Sequence, residues 1–327
     1  MRITNNMVIA NMVRNIANNV ERENKYQTQL STGKKISVPS DDPVVASRAL
    51  KLRTDVSKLE QYKKNISDAQ SWLSATDETL GAIGKVLQTA REKMVQAANG
   101  TNTDEETRAI AQEIKHLRTQ VIHLSNSSYS GRYIFSGFKT DQKLMVDDET
   151  SANFGQFAIS VDNKGTPARL EKIFYEVGVG DNININITGG DLFNNRDTGT
   201  TNHSFAVAGE TSSMVKMFDE AIYHMEIGKV VEPDKFAQIS KCLDTIDAEI
   251  QNVLRVRADI GARQNRMDLT EDRMDNDLVN FTESMSLNED VDVAETIMNL
   301  KNEENVYQSS LAAGARIIQQ SLVDFLN

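Results

Sequence analysis

The sequence has little with which to do chemistry. Its 327 residues include one cysteine, Cys242, and four histidines, so an internal disulfide and a cysteine-built zinc cage are both excluded. It has no run of roughly eighteen apolar residues, the least a membrane-spanning helix needs. Asn5, Asn6, Asn11, Asn15, Asn18 and Asn19 interrupt the start of the chain, where a cleavable leader would require a continuous apolar segment, and none is expected. A formal charge of -11 argues against nucleic acid as a partner, because that affinity rests on cationic neutralisation of phosphates. The charge is also uneven. Residues 1–35 carry Arg2, Arg14, Arg22, Lys25, Lys34 and Lys35 against Glu21 and Glu23, whereas 271–304 carry eleven acids against Arg273 and Lys301. Ends of opposite sign favour lying near one another, though exposed charges contribute modestly and are screened by salt.

Glycine is scarce outside one segment. Nine of the seventeen glycines fall between Gly131 and Gly199, and glycine is costly in helix interiors. That segment also holds β-branched and aromatic runs at 157–161, 172–177 and 183–187, separated by turn formers, and it reads as a small β-rich insertion. On either side the apolar residues recur at intervals of three and four. Leu59, Tyr62, Ile66, Ala69, Leu73, Thr76, Leu80, Ile83, Leu87, Ala90, Met94 and Ala97 form a coiled-coil seam, on the order of 58 Å long at about 1.5 Å per residue. A second seam runs through Ile239, Leu243, Ile246, Ile250, Val253, Ile260, Met267, Met274, Leu278, Phe281 and Met285. Three of its layers hold Arg257, Gln264 and Glu271 instead. Either these meet a polar partner that fixes register, or the helix turns that edge to water. Thr103 with Glu106 three residues on is a capping box, and Asp42 before Pro43 marks a second helix start.

The two ends carry shorter amphipathic stripes: Ile9, Val13, Ile16 and Val20 in one, Val293, Ile297, Leu300, Tyr307, Leu311 and Ile318 in the other. Neither has a core of its own, and helices of this length are marginal alone. They are expected to order on pairing with each other and with neighbouring subunits. The predicted fold is mainly α with a β-rich insertion, a long antiparallel coiled-coil rod being formed by both chain ends. The predicted boundaries are a terminal helix at 1–40, half of the rod at 41–138, the β-rich domain at 139–210, the other half at 211–288, and a closing helix at 289–327.

No catalytic constellation assembles, and no cofactor or metal is expected. Glu113 and His116 make one E-x-x-H step, but a di-iron carboxylate site needs two, and Gln120 precedes His123 where the second glutamate belongs. Gly33-Lys34-Lys35 lacks the Ser or Thr that would hold magnesium in a phosphate loop. Asp290 and Asp292 begin like a calcium loop, but Glu295 stands where glycine is required, so an acidic helix start is expected. The middle segment offers only His203.

Several segments resemble the bacterial flagellin family. Gln29-Leu-Ser-Thr-Gly-Lys-Lys-Ile36 with Ser40-Asp-Asp-Pro43 is similar to its first interhelical loop, and Leu73-Ser-Ala-Thr-Asp-Glu-Thr-Leu80 and Val95-Gln-Ala-Ala-Asn-Gly-Thr-Asn102 continue the match. Near the end come Ile260-Gly-Ala-Arg-Gln-Asn-Arg-Met267, Glu289-Asp-Val-Asp-Val-Ala-Glu295 and Tyr307-Gln-Ser-Ser-Leu311. Within the family, Met1-Arg-Ile-Thr4 and Gly131 to Thr140 look more like its hook-to-filament junction branch, whereas Gln142 to Met145 depart from that branch's usual Pro-Phe pair. The resemblance implies a non-enzymatic adaptor, exported unfolded through the flagellar type III apparatus into the extracellular flagellum. The implied partners are further copies of itself, a proximal hook-associated protein, flagellin and an export chaperone. It also implies that Ile9 to Val20 and Val293 to Ile318 serve assembly, while Leu59, Ile66, Leu73, Leu80, Leu87, Ile246, Val253, Ile260 and Met267 hold the rod. A filament flagellin, or a β-domain binding module on a helical stalk, are the alternatives.

Overall fold

The computed structural model describes residues 5–162, 171–194, 205–227 and 234–325. Met1–Thr4 and His203 lie outside them. The order is α1 (Asn5–Thr32), α2 (Pro43–Ala97), α3 (Asp104–Ser125), β1 (Ser128–Tyr129), β2 (Arg132–Tyr133), β3 (Phe174–Gly178), β4 (Asp181–Asn184), α4 (Gly189–Phe193), α5 (Ser213–Glu226), α6 (Lys235–Glu289) and α7 (Val293–Phe325). The chain divides into two compact units, one of residues 1–60 with 275–327 and one of 61–274. The architecture is mainly helical with a small β insertion.

Local signals start the helices where the sequence places them. Thr103 Oγ1 accepts from Glu106 N and Glu106 Oε2 accepts from Thr103 N, which closes the capping box of α3. Asp42 Oδ1 accepts from the amides of Val44 and Val45 at 3.0 and 3.1 Å, with Pro43 as the first residue of α2.

In the central unit, α2 and α6 run antiparallel. Ile66, Leu73, Leu80 and Leu87 of α2 and Ile246, Ile260 and Met267 of α6 are fully buried, with Val253 at 1%. The three polar layers of the second seam all find partners on α2. Arg257 donates two bonds to Asp77 at 2.8 and 2.9 Å, Gln264 reaches Ser74 at 3.4 Å, and Gln70 donates to Glu271 at 3.1 Å. Both readings left open by the sequence hold in part: each layer meets one α2 residue, and the edge still faces water, the Arg257 side chain being 39% exposed. Trp72, the only tryptophan, is 7% exposed beside Leu73 and meets Tyr129 edge-on at 6.0 Å. Leu73→Ala is expected to cost about 2–5 kcal/mol through cavity formation. Leu269→Ala, at a residue 72% exposed, should stay within about 0.5 kcal/mol. Urea unfolding followed by Trp72 fluorescence separates the two.

The middle segment is less regular than its composition suggests. β1 pairs with β2, and β3 with β4, each antiparallel, with a bulge between Glu176 and Gly178. The run at 157–161 contributes only isolated bridges, Phe157 to Met145 and Val161 to Ala206. Strand-forming residues there are held by packing instead: Phe157 and Val161 are buried, and Phe135 meets Phe193 edge-on at 5.7 Å. Asn252 of α6 donates to the carbonyl of Leu192 at 3.0 Å and Arg263 to that of Asn184 at 3.0 Å, which ties this segment to one face of α6. Gly81 and Gly84 lie inside α2, where each costs about 1 kcal/mol relative to alanine.

Candidate assembly site

The terminal unit brings the two ends of the chain together. α1 and α7 pair antiparallel, with Asn19 Nδ2 donating to Ser310 Oγ at 2.9 Å and Arg22 Nε to Glu303 Oε1 at 3.0 Å. Near their far ends Met12 packs onto Gly314, and a Cβ at 314 would run into the Met12 methyl. The face of α7 turned to α1 therefore follows the heptad steps Glu303, Ser310 and then Gly314, small and polar positions. The apolar stripes picked out by period alone sit to one side of that contact. On α1, Ile9, Ile16 and Val20 are half-buried and Val13 is 61% exposed. On α7, Leu300 and Tyr307 are half-buried, while Val293, Ile297 and Leu311 are 55%, 47% and 45% exposed. The Ile318 side chain lies outside the described residues.

A polar latch joins the turn between α1 and α2 to the turn between α6 and α7. Gly33 ends α1 with φ +70, a left-handed conformation that glycine adopts at no steric cost, and its amide donates to Gln29 O at 2.8 Å. The chain then runs beside the end of α6. Lys35 N donates to Glu289 O at 2.6 Å and Val291 N to Gly33 O at 3.0 Å. Lys34 Nζ donates to Asp290 at 2.6 Å and lies 3.3 Å from Glu289. From α2, Arg53 clasps Glu289 with two bonds of 2.7 and 2.6 Å, and the Glu289 side chain is 2% exposed. These donors hold the Glu289 and Asp290 carboxyls below their usual range, the guanidinium of Arg53 acting first on Glu289 and the Lys34 ammonium first on Asp290. Asp292 caps α7 by accepting from Ala294 N and Glu295 N at 2.9 and 3.1 Å. The two ends of the sequence with opposite charge thus meet through specific pairs.

Sequence reasoning assigned Gly33-Lys34-Lys35 and Asp290–Asp292 no ligand, and the structure gives them each other. It missed Arg53 as the third member, since nothing local marks an arginine whose acid lies 236 residues away. Gly314 did carry a signal, being a glycine inside a helical pattern.

Residues 3–140 match the bacterial flagellin N-terminal helical region, and residues 243–326 match the C-terminal helical region. Flagellar hook-associated protein 3 of Salmonella typhimurium is 30% identical over 82% of this chain and 81% of its own length. The chain belongs to the bacterial flagellin family. Flagellar hook-associated protein 3 of Escherichia coli K12 is 29% identical over 96% of both chains, and the flagellin of Bacillus subtilis is 25% identical over 98% of this chain and 97% of its own. Among solved structures, a flagellar hook-associated protein from Vibrio parahaemolyticus shares the fold with a TM-score of 0.59 at 23% identity, covering 76% of this chain and 99% of that one. The family's two matched regions contribute the strands of contact just described: Lys34 and Arg53 come from the first, Glu289, Asp290, Ser310 and Gly314 from the second.

Proposed function

We propose that this chain is a structural adaptor of the bacterial flagellum, sitting between hook and filament and performing no enzymatic step. The observation that carries the reading is the apolar flank left open on the paired terminal helices. Val13, Val293, Ile297 and Leu311 remain 45–61% exposed after α1 and α7 have met, and an apolar row on an assembled helix pair marks a surface for another chain. Continued addition of like subunits requires different patches on the two sides of each subunit, and the flank supplies one of them. Similarity to hook-associated protein 3 over nearly the whole of both chains supports the junction rather than the filament as the place of action. In this reading the protein crosses the export apparatus unfolded, under the care of a chaperone, and orders in the extracellular flagellum. There it meets further copies, a proximal hook-associated protein and flagellin.

A filament flagellin is the second reading, favoured by the match to the Bacillus flagellin along 98% of the chain. Immunogold labelling of intact flagella with an antibody to this chain distinguishes them. Gold at the hook-proximal end of the filament is the expected result, and gold along the whole filament would replace the adaptor with a bulk polymer. Val13→Asp and Leu311→Asp test the flank itself. Each is expected to leave the helical circular dichroism of the free protein within about a tenth of the native signal while lowering incorporation into flagella at least about tenfold, since a desolvated, unpaired carboxylate costs several kcal/mol.

A further inference from the structure

The central unit carries a groove that its own residues do not fill. It measures about 530 Å³ and opens over Gly81 and Gly84 of α2, with Val253 and the half-exposed Leu254 of α6 as its apolar walls. The two glycines are not required by the fold of this chain. A Cβ at Gly81 would come no nearer than 3.8 Å to Arg257, and one at Gly84 no nearer than 3.8 Å to Val253, both ordinary contacts. Alanine would fit at either place and would favour the helix. Two helix-weakening residues, side by side on one face and needed by nothing within the described residues, point to a close approach from outside.

The same unit has a matching protrusion. The β3–β4 hairpin ends in Val179, which is 91% exposed, followed by Gly180 at φ +74. It lies on the other side of the helix pair. Asn252, Arg263 and Arg266 are the α6 residues that hold the inserted segment, with Arg266 pairing to Asp181 at the hairpin. Leu254 and Arg257 face the groove, and at about 100° per residue the two sets are roughly half a turn apart. Along the axis the hairpin meets α6 at Met274, about 30 Å from the groove at 1.5 Å per residue. A knob and a hole on opposite faces, offset along the axis, are the two different patches that a head-to-tail contact between copies requires. Charge is balanced on both surfaces: Asp77 pairs with Arg257 at the rim, the exposed Glu78 offsets Lys85, and Asp181 is held by Arg266, so the match is one of shape and apolar surface.

We propose that the groove over Gly81 and Gly84 receives the Val179 hairpin tip of a second copy of this chain. The proposal rests on the assembly reading above and adds the contact by which neighbouring central units engage. The test uses the full chain in cells from which its own gene has been deleted. A double variant, Val179→Cys with Gln88→Cys, the latter at an exposed position lining the groove, is oxidised in isolated flagella and run without reductant. The two introduced cysteines of one chain are on opposite faces and too distant to bridge, and the native Cys242 is buried, so a ladder of dimers and higher multiples is expected, with each single variant staying at the monomer position. In parallel, Gly84→Phe fills the groove. It should leave thermal unfolding of the free protein unchanged or raised, yet lower incorporation into flagella at least about tenfold. Monomer alone from a double variant that is present in flagella, or normal incorporation of Gly84→Phe, overturns the contact and leaves the adaptor reading standing. Absence of the native chain from flagella overturns both.

Discussion

Glu249→Gln is expected to stabilise the central unit at alkaline pH by about 2–4 kcal/mol and to leave it nearly unchanged at pH 4. Glu249 lies on α6, 4% exposed, and its Oε2 has no hydrogen-bond partner among the described residues. Burial without a compensating charge pushes its carboxyl up from 4.5 to about 8. The folded chain therefore keeps the proton at neutral pH, whereas the unfolded chain gives it up above 4.5. Stability is whole below the unfolded value, falls as pH rises from 4.5 towards 8, and levels off above that. Glutamine has a similar shape and never ionises, so it removes the slope. Urea titrations at pH 4, 7 and 9, read from Trp72 in the same unit, measure this directly. Parallel pH profiles for the native and variant proteins would mean that Glu249 is ionised in the folded state.

The opposite sign is expected at the latch. Glu289→Ala should destabilise the terminal unit by about 1–3 kcal/mol. It removes a buried acceptor of two charge-assisted bonds, and the loss is moderated because Arg53 is 58% exposed and can return to water. The lowered carboxyls of Glu289 and Asp290 make the latch whole above the ordinary carboxylate range, and its contribution is lost as pH falls through their lowered folded values. Amide hydrogen exchange in residues 5–60 reads this unit, which lacks tryptophan. Faster exchange in the variant at pH 7, and a difference that shrinks in acid, is the expected pattern. Unchanged protection at pH 7 would leave the Arg53 contact without a share in stability. The contribution of Glu249 is thus lost in alkali and that of the latch in acid.

The seams of α2 and α6 were legible because burial of one helix face repeats every three or four residues. Leu73, Leu80, Ile246 and Ile260 could be named from spacing alone, and each is fully buried. Caps at Asp42 and Thr103 were legible for a related reason, since the bonds that form them span two or three residues. The inserted segment was legible in composition but not in detail. Its β-branched runs could equally be packed as irregular chain, and at 157–161 they are.

What the sequence by itself determined is the helices α1, α2, α3, α6 and α7, the apolar faces of the central pair, and membership of the flagellin family through motifs at both ends. Only the tertiary structure decided which face of α7 meets α1, that Arg53 completes the latch on Glu289, and that Glu249 is enclosed without a partner. Periodicity fixes how residues are distributed around one helix, because that depends on neighbours a turn away. The rotation of one helix against another depends on contacts such as Asn19 to Ser310, 291 residues apart. A small or polar contact face and the apolar row beside it give the same 3.6-residue signal, and packing alone tells them apart.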